Sequence, residues 1–158
     1  MSGNVCMFTG HRKIPYGKLN GIKRLLLREV QALILSGTEE FITGGALGFD
    51  TVAAECVLYL KSKFPHIKLK LFLPCRDQYK NWNVSSREKY KNILTRADEV
   101  FYVSEVYSYS CMHERNRKMV EASDICIAFL EKEDGGSAYT VNYAKECGLT
   151  VINLNEIL

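Results

Sequence analysis

Glycines and hydroxyl side chains are grouped at two places where a strand is predicted to turn into a helix. The first stretch, residues 43–50, reads Thr-Gly-Gly-Ala-Leu-Gly-Phe-Asp, and the second, residues 133–140, reads Glu-Asp-Gly-Gly-Ser-Ala-Tyr-Thr. Small residues at such a junction let main-chain N–H groups approach an anion at the positive end of the helix. Both stretches are therefore candidate phosphate-binding loops.

Seven residues of these loops are candidate ligand-binding residues: Gly44, Gly45, Gly48, Asp50, Gly135, Gly136 and Ser137. Their glycine spacing differs from the Gly-x-Gly-x-x-Gly of dinucleotide-binding proteins, and no Lys-Ser/Thr pair follows as in a Walker loop. The alternative is structural: the glycines allow tight turns with positive φ, Asp50 and Ser137 cap helices, and Tyr139 packs. The sequence leaves both interpretations open.

The end of the first predicted strand carries four further candidates, Thr9, Gly10, His11 and Arg12. An arginine at this position can hold a phosphate or carboxylate with its planar, two-pronged guanidinium group. A histidine without a paired nucleophile or carboxylate in sequence is more typical of a loop hydrogen bond, although its titration range keeps it a candidate.

Three more residues could reach the same edge of the predicted sheet. Asn116 and Arg117 lie on the helix before the fifth strand, where a solvated helix face is the alternative interpretation. Trp82 lies in an aromatic and amide cluster that is suited to stacking on a base, or equally to packing as a lid on the core.

Strands and helices alternate along the whole sequence, since short apolar runs alternate with apolar residues repeated every three or four positions. Predicted strands cover residues 4–9, 39–43, 67–73, 99–103, 124–130 and 150–154, and predicted helices cover 19–35, 49–64, 85–97, 112–122 and 137–147. Pro74 is expected to end the third strand, and Ser85 and Ser86 to cap the third helix. The pattern predicts an α/β, Rossmann-like three-layer sandwich with a mostly parallel central sheet, which binds ligands beyond the carboxyl ends of its strands.

The composition is that of a soluble globular protein, with 47% hydrophobic and 25% charged residues among 158. Residues 1–158 are therefore predicted to form one domain. A net charge of +3, from 21 basic and 18 acidic residues, is small for a protein that binds an extended nucleic acid, so nucleic acid is not an expected partner.

No signal-peptide pattern is found in residues 1–7 and no apolar run is long enough to span a membrane, which predicts a cytoplasmic protein without a membrane partner. The six cysteines are scattered singly without accompanying histidine spacing, so no metal and no cofactor are expected. Apolar faces on the predicted helices are compatible with a homo-oligomer such as a homodimer.

Taken together, these motifs resemble the SLOG superfamily, particularly its small YpsA-like branch. The resemblance covers nearly the whole chain and rests on the order and spacing of residues 9–12, 44–50, the loop after Pro74, 115–116 with 123–124, and 135–137. It implies a Rossmann-like fold that binds a nucleotide-derived ligand. Relatives such as the LOG proteins and DNA-processing protein A imply three activities: N-glycosidic hydrolysis of a nucleotide, sensing of ADP-ribose-like signals, and single-stranded DNA binding.

The leading hypothesis is binding of a nucleotide-like phosphorylated small molecule, with the loop glycines and Ser137 around the phosphates and Arg12 and Arg117 adding charge. The enzyme alternative is N-glycosidic hydrolysis of a nucleoside 5′-monophosphate, with Asp50 or Glu55 as the catalytic carboxylate. The cytokinin-activating relatives carry Pro-Gly-Gly-x-Gly-Thr-x-x-Glu, whereas residues 135–137 lack the preceding Pro and the following Glu. The second alternative is single-stranded nucleic-acid binding, which the near-balanced charge disfavours.

Overall fold

The computed structural model describes residues 5–158, in which strands and helices alternate. The first four residues, which include the predicted start of the first strand and much of the segment inspected for a signal peptide, lie outside the described part of the chain. Within that part the elements are β1 (Val5–Gly10), α1 (Leu19–Leu35), β2 (Glu40–Thr43), α2 (Phe49–Lys61), β3 (Lys68–Cys75), α3 (Val84–Arg96), β4 (Glu99–Ser104), α4 (Cys111–Glu121), β5 (Ile125–Phe129), α5 (Gly136–Glu146) and β6 (Thr150–Asn153). Short 3₁₀ turns precede α1 and follow β6.

The strands form one sheet in the order β4-β3-β2-β1-β5-β6, and each pair of neighbours is parallel. One apolar cluster joins alternate strand residues such as Phe8 to α1, α2 and α3. A second cluster, which includes Met7, packs the opposite face of the sheet against α4 and α5. The predicted α/β, Rossmann-like three-layer sandwich is therefore confirmed.

The central position of β1 brings the candidate loops to one edge. The chain leaves β1 toward β2, β3 and β4, and α4 then carries it back across the sheet to β5 on the other side of β1. The strand order reverses at β1, and ligands of open parallel sheets bind at such a switch point. The loops after β1, β2 and β5 therefore meet at the carboxyl edge of the sheet.

Several expected boundaries differ from the observed ones, as at α2, which ends at Lys61 and not at residue 64, and two of the differences have a clear physical reason. β3 continues through Pro74 to Cys75, because its pairing with β2 stops at Leu71 and β3 has a neighbour on one side only at the proline. The cap of α3 is Asn83, whose side-chain oxygen accepts a hydrogen bond from the N–H of Ser86 at 2.8 Å. Across residues 5–158, none of the helices has the length and apolar character needed to cross a bilayer.

Candidate functional site

A cleft of about 280 Å³ opens at the carboxyl end of β1. Its walls are the loops after β1 and β5, the beginnings of α2 and α5, and one side of α4. The structure brings many of the predicted site residues together here: Thr9, Gly10, His11, Arg12, Asp50, Asn116, Gly135, Gly136 and Ser137. These residues come from distant parts of the sequence, so the cleft is a product of the sheet topology.

Six predicted site residues lie outside the cleft lining: Trp82, Arg117, Glu55 and the three glycines after β2. The Trp82 ring packs edge-on against Tyr90, with ring centroids 5.3 Å apart, which is the core-packing alternative. Arg117 is exposed on α4, with its guanidinium 5.4 Å from the ring centre of Tyr143. Glu55 is exposed on α2 and lines an apolar groove between α1 and α2, a helix face of the kind on which the homo-oligomer prediction rests.

The glycines after β2 support the cleft from behind and are not among its lining residues. Gly48 has a φ of +77°, and a Cβ there would overlap the main-chain carbonyl of Arg12, so the β1 loop packs directly on it. Gly44 is covered in the same way by the guanidinium of Arg115. Gly45 packs against Leu73. Other parts of the protein thus pack directly against the main chain of these three glycines. This packing agrees with the alternative in which the glycines have a structural role.

His11 ties the loop after β1 to the loop after β5. Its Nε2 accepts a hydrogen bond from the N–H of Glu131 at 2.8 Å, and its main-chain N–H donates to the carbonyl of Phe129 at 3.3 Å. The ring also packs edge-on against Phe129, with centroids 5.7 Å apart. Because Nε2 is an acceptor, the neutral ring carries its proton on Nδ1. His11 therefore fixes the shape of the cleft wall that it lines.

The first turn of α5 faces the cleft. Gly135 is the N-cap residue and Gly136 begins the helix, and a Cβ at either position would meet nothing within 4 Å. The Oγ of Ser137 donates to the carbonyl of Gly10 at 2.9 Å, so this residue joins α5 to β1 and does not cap the helix. The N–H groups of a first helical turn have no acceptor within the helix. They are available here to an anion, because no side chain of the two glycines stands in the way.

Arg115 lies in the motif at residues 115–116 that carries the family resemblance, but it is not among the predicted ligand-binding residues, and the structure places it in the cleft lining. It is 5% exposed, donates from Nη1 to the carbonyl of Gly44, and donates from Nε to Oδ1 of Asn116 at 2.7 Å. Burial lowers the pKa of this guanidinium, and the charge of Asp50 opposes that shift. The available signal was helical spacing, since Cys111, Arg115 and Met119 follow one another at intervals of four and all face inward.

Asp50 is the buried acid of the cleft, with 6% of its surface exposed. Burial raises the pKa of its carboxyl group, while the charges of Arg115 and Arg12 and a hydrogen bond from Ala46 oppose the shift. The Ala46 N–H donates to Oδ2 at 3.2 Å. In the described part of the chain, Asp50 and Arg115 are the charged side chains that the fold buries. The cleft therefore holds a carboxylate acceptor beneath a set of hydrogen-bond donors.

A shelf of about 550 Å³ continues from the cleft beyond His11 and Arg12. Lys13 and Lys132 lie exposed along it, and Glu131, which also lines it, is paired with Lys18 at 2.6 Å. The shelf extends the positive charge of Arg12 away from the cleft. Among residues 5–158, no three His, Cys, Asp or Glu side chains are grouped as a metal site would require.

The comparison with protein families agrees with this architecture. The YpsA family model, described as the YspA SLOG family, matches residues 6–151. The chain belongs to the YpsA SLOG family. The SPbeta prophage-derived protein YoqJ of Bacillus subtilis (strain 168) is 35% identical to this chain over 138 residues, which cover 79% of this chain and 81% of YoqJ. The resemblance drawn from the motifs is confirmed.

Solved structures of two DNA-processing proteins share the fold of this YpsA-family chain. DNA processing protein A from Streptococcus pneumoniae has a TM-score of 0.66 at 17% identity, and the match covers 92% of this chain and 48% of that one. DNA processing protein A from Helicobacter pylori, described for its single-stranded DNA binding mode, has a TM-score of 0.58 at 16% identity, covering 99% and 79%. Such low identities show the fold alone, but the second relative gives no support to the expectation that nucleic acid is not a partner.

Proposed function

We propose that the cleft binds a small nucleotide-derived ligand through a phosphate group held at the first turn of α5. The observation that carries the proposal is the meeting of Gly135, Gly136 and Arg12 in one cleft. The unpaired N–H groups and the helix dipole favour an anion at this turn, and the guanidinium supplies a charged donor pair. Asn116 adds an amide to the same wall, because its Oδ1 is already taken by Arg115 and its NH₂ group remains for a ligand.

The dimensions of the cleft favour a small ligand. A volume of about 280 Å³ lies just below the usual range for ligand pockets, about 300–1,000 Å³. The enclosed part suits the sugar and phosphate of a mononucleotide, with the base toward the open side. Affinity would come mainly from charge-assisted hydrogen bonds, since the walls present few apolar side chains beyond Met112 and Met119.

Arg12→Ala is expected to weaken binding of adenosine 5′-monophosphate by about 1.5–3 kcal/mol, because one charge-assisted contact to the phosphate is lost. That change corresponds to roughly 10- to 150-fold in the dissociation constant, measured by isothermal titration calorimetry. Arg28→Ala, which removes an exposed arginine of α1 outside the cleft, is the matched control and should leave the affinity unchanged. Equal affinities for the wild type, Arg12→Ala and Arg28→Ala would show that Arg12 does not bind the phosphate.

Gly136→Ala tests the helix turn itself. A methyl group at this position meets no protein atom within 4 Å, so the free energy of unfolding should stay within about 0.5 kcal/mol of the wild-type value. The same methyl group would stand between a phosphate and the first N–H groups of α5, and we expect a loss of at least about tenfold in affinity for adenosine 5′-monophosphate. Gly17→Ala, also in open space but outside the cleft, is the control. Tight binding by the Gly136 variant would place the phosphate elsewhere.

Single-stranded nucleic acid is the second candidate ligand, and the basic shelf with Lys13 and Lys132 is the observation that favours it. The fold shared with the Helicobacter pylori protein, which is described as binding single-stranded DNA, points the same way. Anisotropy of a labelled oligodeoxynucleotide separates the candidates. Micromolar binding that weakens steeply with salt would favour the nucleic acid, whereas a mononucleotide that binds while the oligonucleotide does not would favour the small ligand.

Hydrolysis of an N-glycosidic bond has narrower support, because Asp50 lines the cleft and Glu55 lies in the groove between α1 and α2. A buried acid whose pKa is raised is a feature of general acid–base catalysis, and Asp50 has that feature. Chromatography of nucleoside monophosphates incubated with the protein tests this candidate. Release of free base would establish hydrolysis, and intact nucleotide in the presence of demonstrated binding would reject it.

A further inference from the structure

Asp50, the buried hydrogen-bond acceptor of the cleft, has hydrogen-bond donors around it. Arg12, Arg115 and the amide of Asn116 all present N–H groups, and the turn at Gly136 presents main-chain N–H groups. These groups suit a phosphate. The carboxylate of Asp50 does not, because two anions in contact repel each other. Its Oδ2 already accepts from the Ala46 N–H, and the acceptor capacity that it presents to the cleft suits a part of the ligand that carries a hydrogen-bond donor.

We propose that Asp50 accepts hydrogen bonds from the ribose hydroxyl groups of the bound nucleotide and so selects ribonucleotides over their deoxy counterparts. The inference rests on the proposed function and names the ligand class of the same cleft. The sugar hydroxyls are the donors that lie nearest to the phosphate of a nucleotide, so a phosphate at the turn of α5 leaves them within the same enclosed volume. The base amino groups lie beyond the sugar, toward the open side.

Because Asp50 is buried, its hydrogen bonds to the ligand should discriminate between ligands with and without ribose hydroxyl groups. Asp50 is 6% exposed and its Oδ2 accepts from the Ala46 N–H, so a ligand that covers the carboxyl group without supplying a donor takes its remaining acceptor capacity out of water without replacing the lost hydrogen bond. Sites built to hydrogen-bond a hydroxyl reject the analogue that lacks it far more strongly than apolar pockets reject a missing methylene. We therefore expect the wild-type protein to prefer adenosine 5′-monophosphate over 2′,3′-dideoxyadenosine 5′-monophosphate by at least about 100-fold.

A purely structural role for Asp50 makes a different prediction. The hydrogen bond from the Ala46 N–H to Oδ2 shows that the side chain also holds the loop after β2. If that were its whole contribution, Asp50→Asn would change the affinity for both nucleotides by the same factor and leave the preference between them unchanged. Asparagine has the same shape, and its oxygen can still accept from Ala46, but the remaining NH₂ group cannot accept from a hydroxyl.

The test is a calorimetric titration of wild type, Asp50→Asn and Glu55→Gln with the two nucleotides. We expect Asp50→Asn to bind the dideoxynucleotide within about threefold of wild type and to retain less than about tenfold preference for the ribonucleotide. Glu55→Gln makes the same change of carboxylate to amide on α2 outside the cleft, and it should behave as wild type does.

Two results would overturn the inference: equal wild-type affinity for both nucleotides, or an Asp50→Asn variant that loses affinity for both by the same factor. In either case the proposed function stands, because a nucleotide is still bound. If the wild-type protein binds neither nucleotide, the proposed function falls and the inference falls with it.

Discussion

Replacing Gly48 with alanine is expected to lower the free energy of unfolding by about 4 kcal/mol, from backbone strain and steric overlap combined. The φ of Gly48 is +77°, which side chains rarely adopt, and the new Cβ would overlap the carbonyl of Arg12. The β1 loop cannot easily retreat, because the N–H of Phe49 donates to the carbonyl of His11 at 3.1 Å and His11 is itself bound to the loop after β5. Urea denaturation followed by circular dichroism measures the change.

Gly37→Ala is the matched control for this variant. Gly37 also has a positive φ, +110°, but a Cβ there would meet nothing within 4 Å. Gly37→Ala should therefore lower the free energy of unfolding through backbone strain alone, by about 1–3 kcal/mol. Equal destabilisation by the two substitutions would mean that the contact between residue 48 and the β1 loop contributes nothing.

Arg115→Met is expected to lower the free energy of unfolding by about 3–5 kcal/mol, because it leaves Asp50 buried without its strongest charged neighbour. The substitution also removes the donors to the Gly44 carbonyl and to Asn116. Methionine has a similar length and is apolar, so packing on α4 is largely kept. Chemical denaturation at neutral pH is the measurement.

Arg117→Met supplies the comparison, since it lies on the same helix two residues later and is exposed. It should change stability by no more than about 0.5 kcal/mol. The double variant Arg115→Met, Asp50→Asn should recover part of the loss, because it leaves no unpaired buried charge. A single Arg115 variant as stable as the Arg117 variant would contradict the role given to this residue.

The fold was accessible from sequence because each element carries its own periodicity. The alternation of apolar runs with helical repeats predicted the succession of β1 to β6 along the chain. Because all the strands are parallel, the loops at residues 9–12 and 134–137 then lie at one edge of the sheet. The exact ends of the strands and helices were harder to predict from the sequence. The end of β3 depends on where β2 stops pairing, and the start of α3 depends on which of Asn83, Ser85 and Ser86 reaches the helix N–H groups.

The sequence predicted part of the candidate site, and the reasons why the rest could not be predicted differ from residue to residue. Gly44 and Gly48 resemble phosphate-loop glycines in sequence, but what requires them is the approach of Arg115 and of the Arg12 main chain, which are tertiary contacts. Arg115 stands in a basic run with Arg117 for which the sequence leaves ligand binding and a solvated surface equally open, and the helical phase turns Arg115 inward and Arg117 outward. Trp82 packs on Tyr90, a contact that composition alone does not reveal.

The central place of β1 also governs when the cleft can exist during synthesis. Part of its lining comes from β1, but one wall comes from α5, the last α-helix among residues 5–158. A growing polypeptide therefore has no complete cleft until α5 has left the ribosome and β5 has docked beside β1. A ligand bound in the cleft would accordingly stabilise the assembled sheet and its helices against unfolding, whereas a chain that ends before α5 would gain nothing from that ligand.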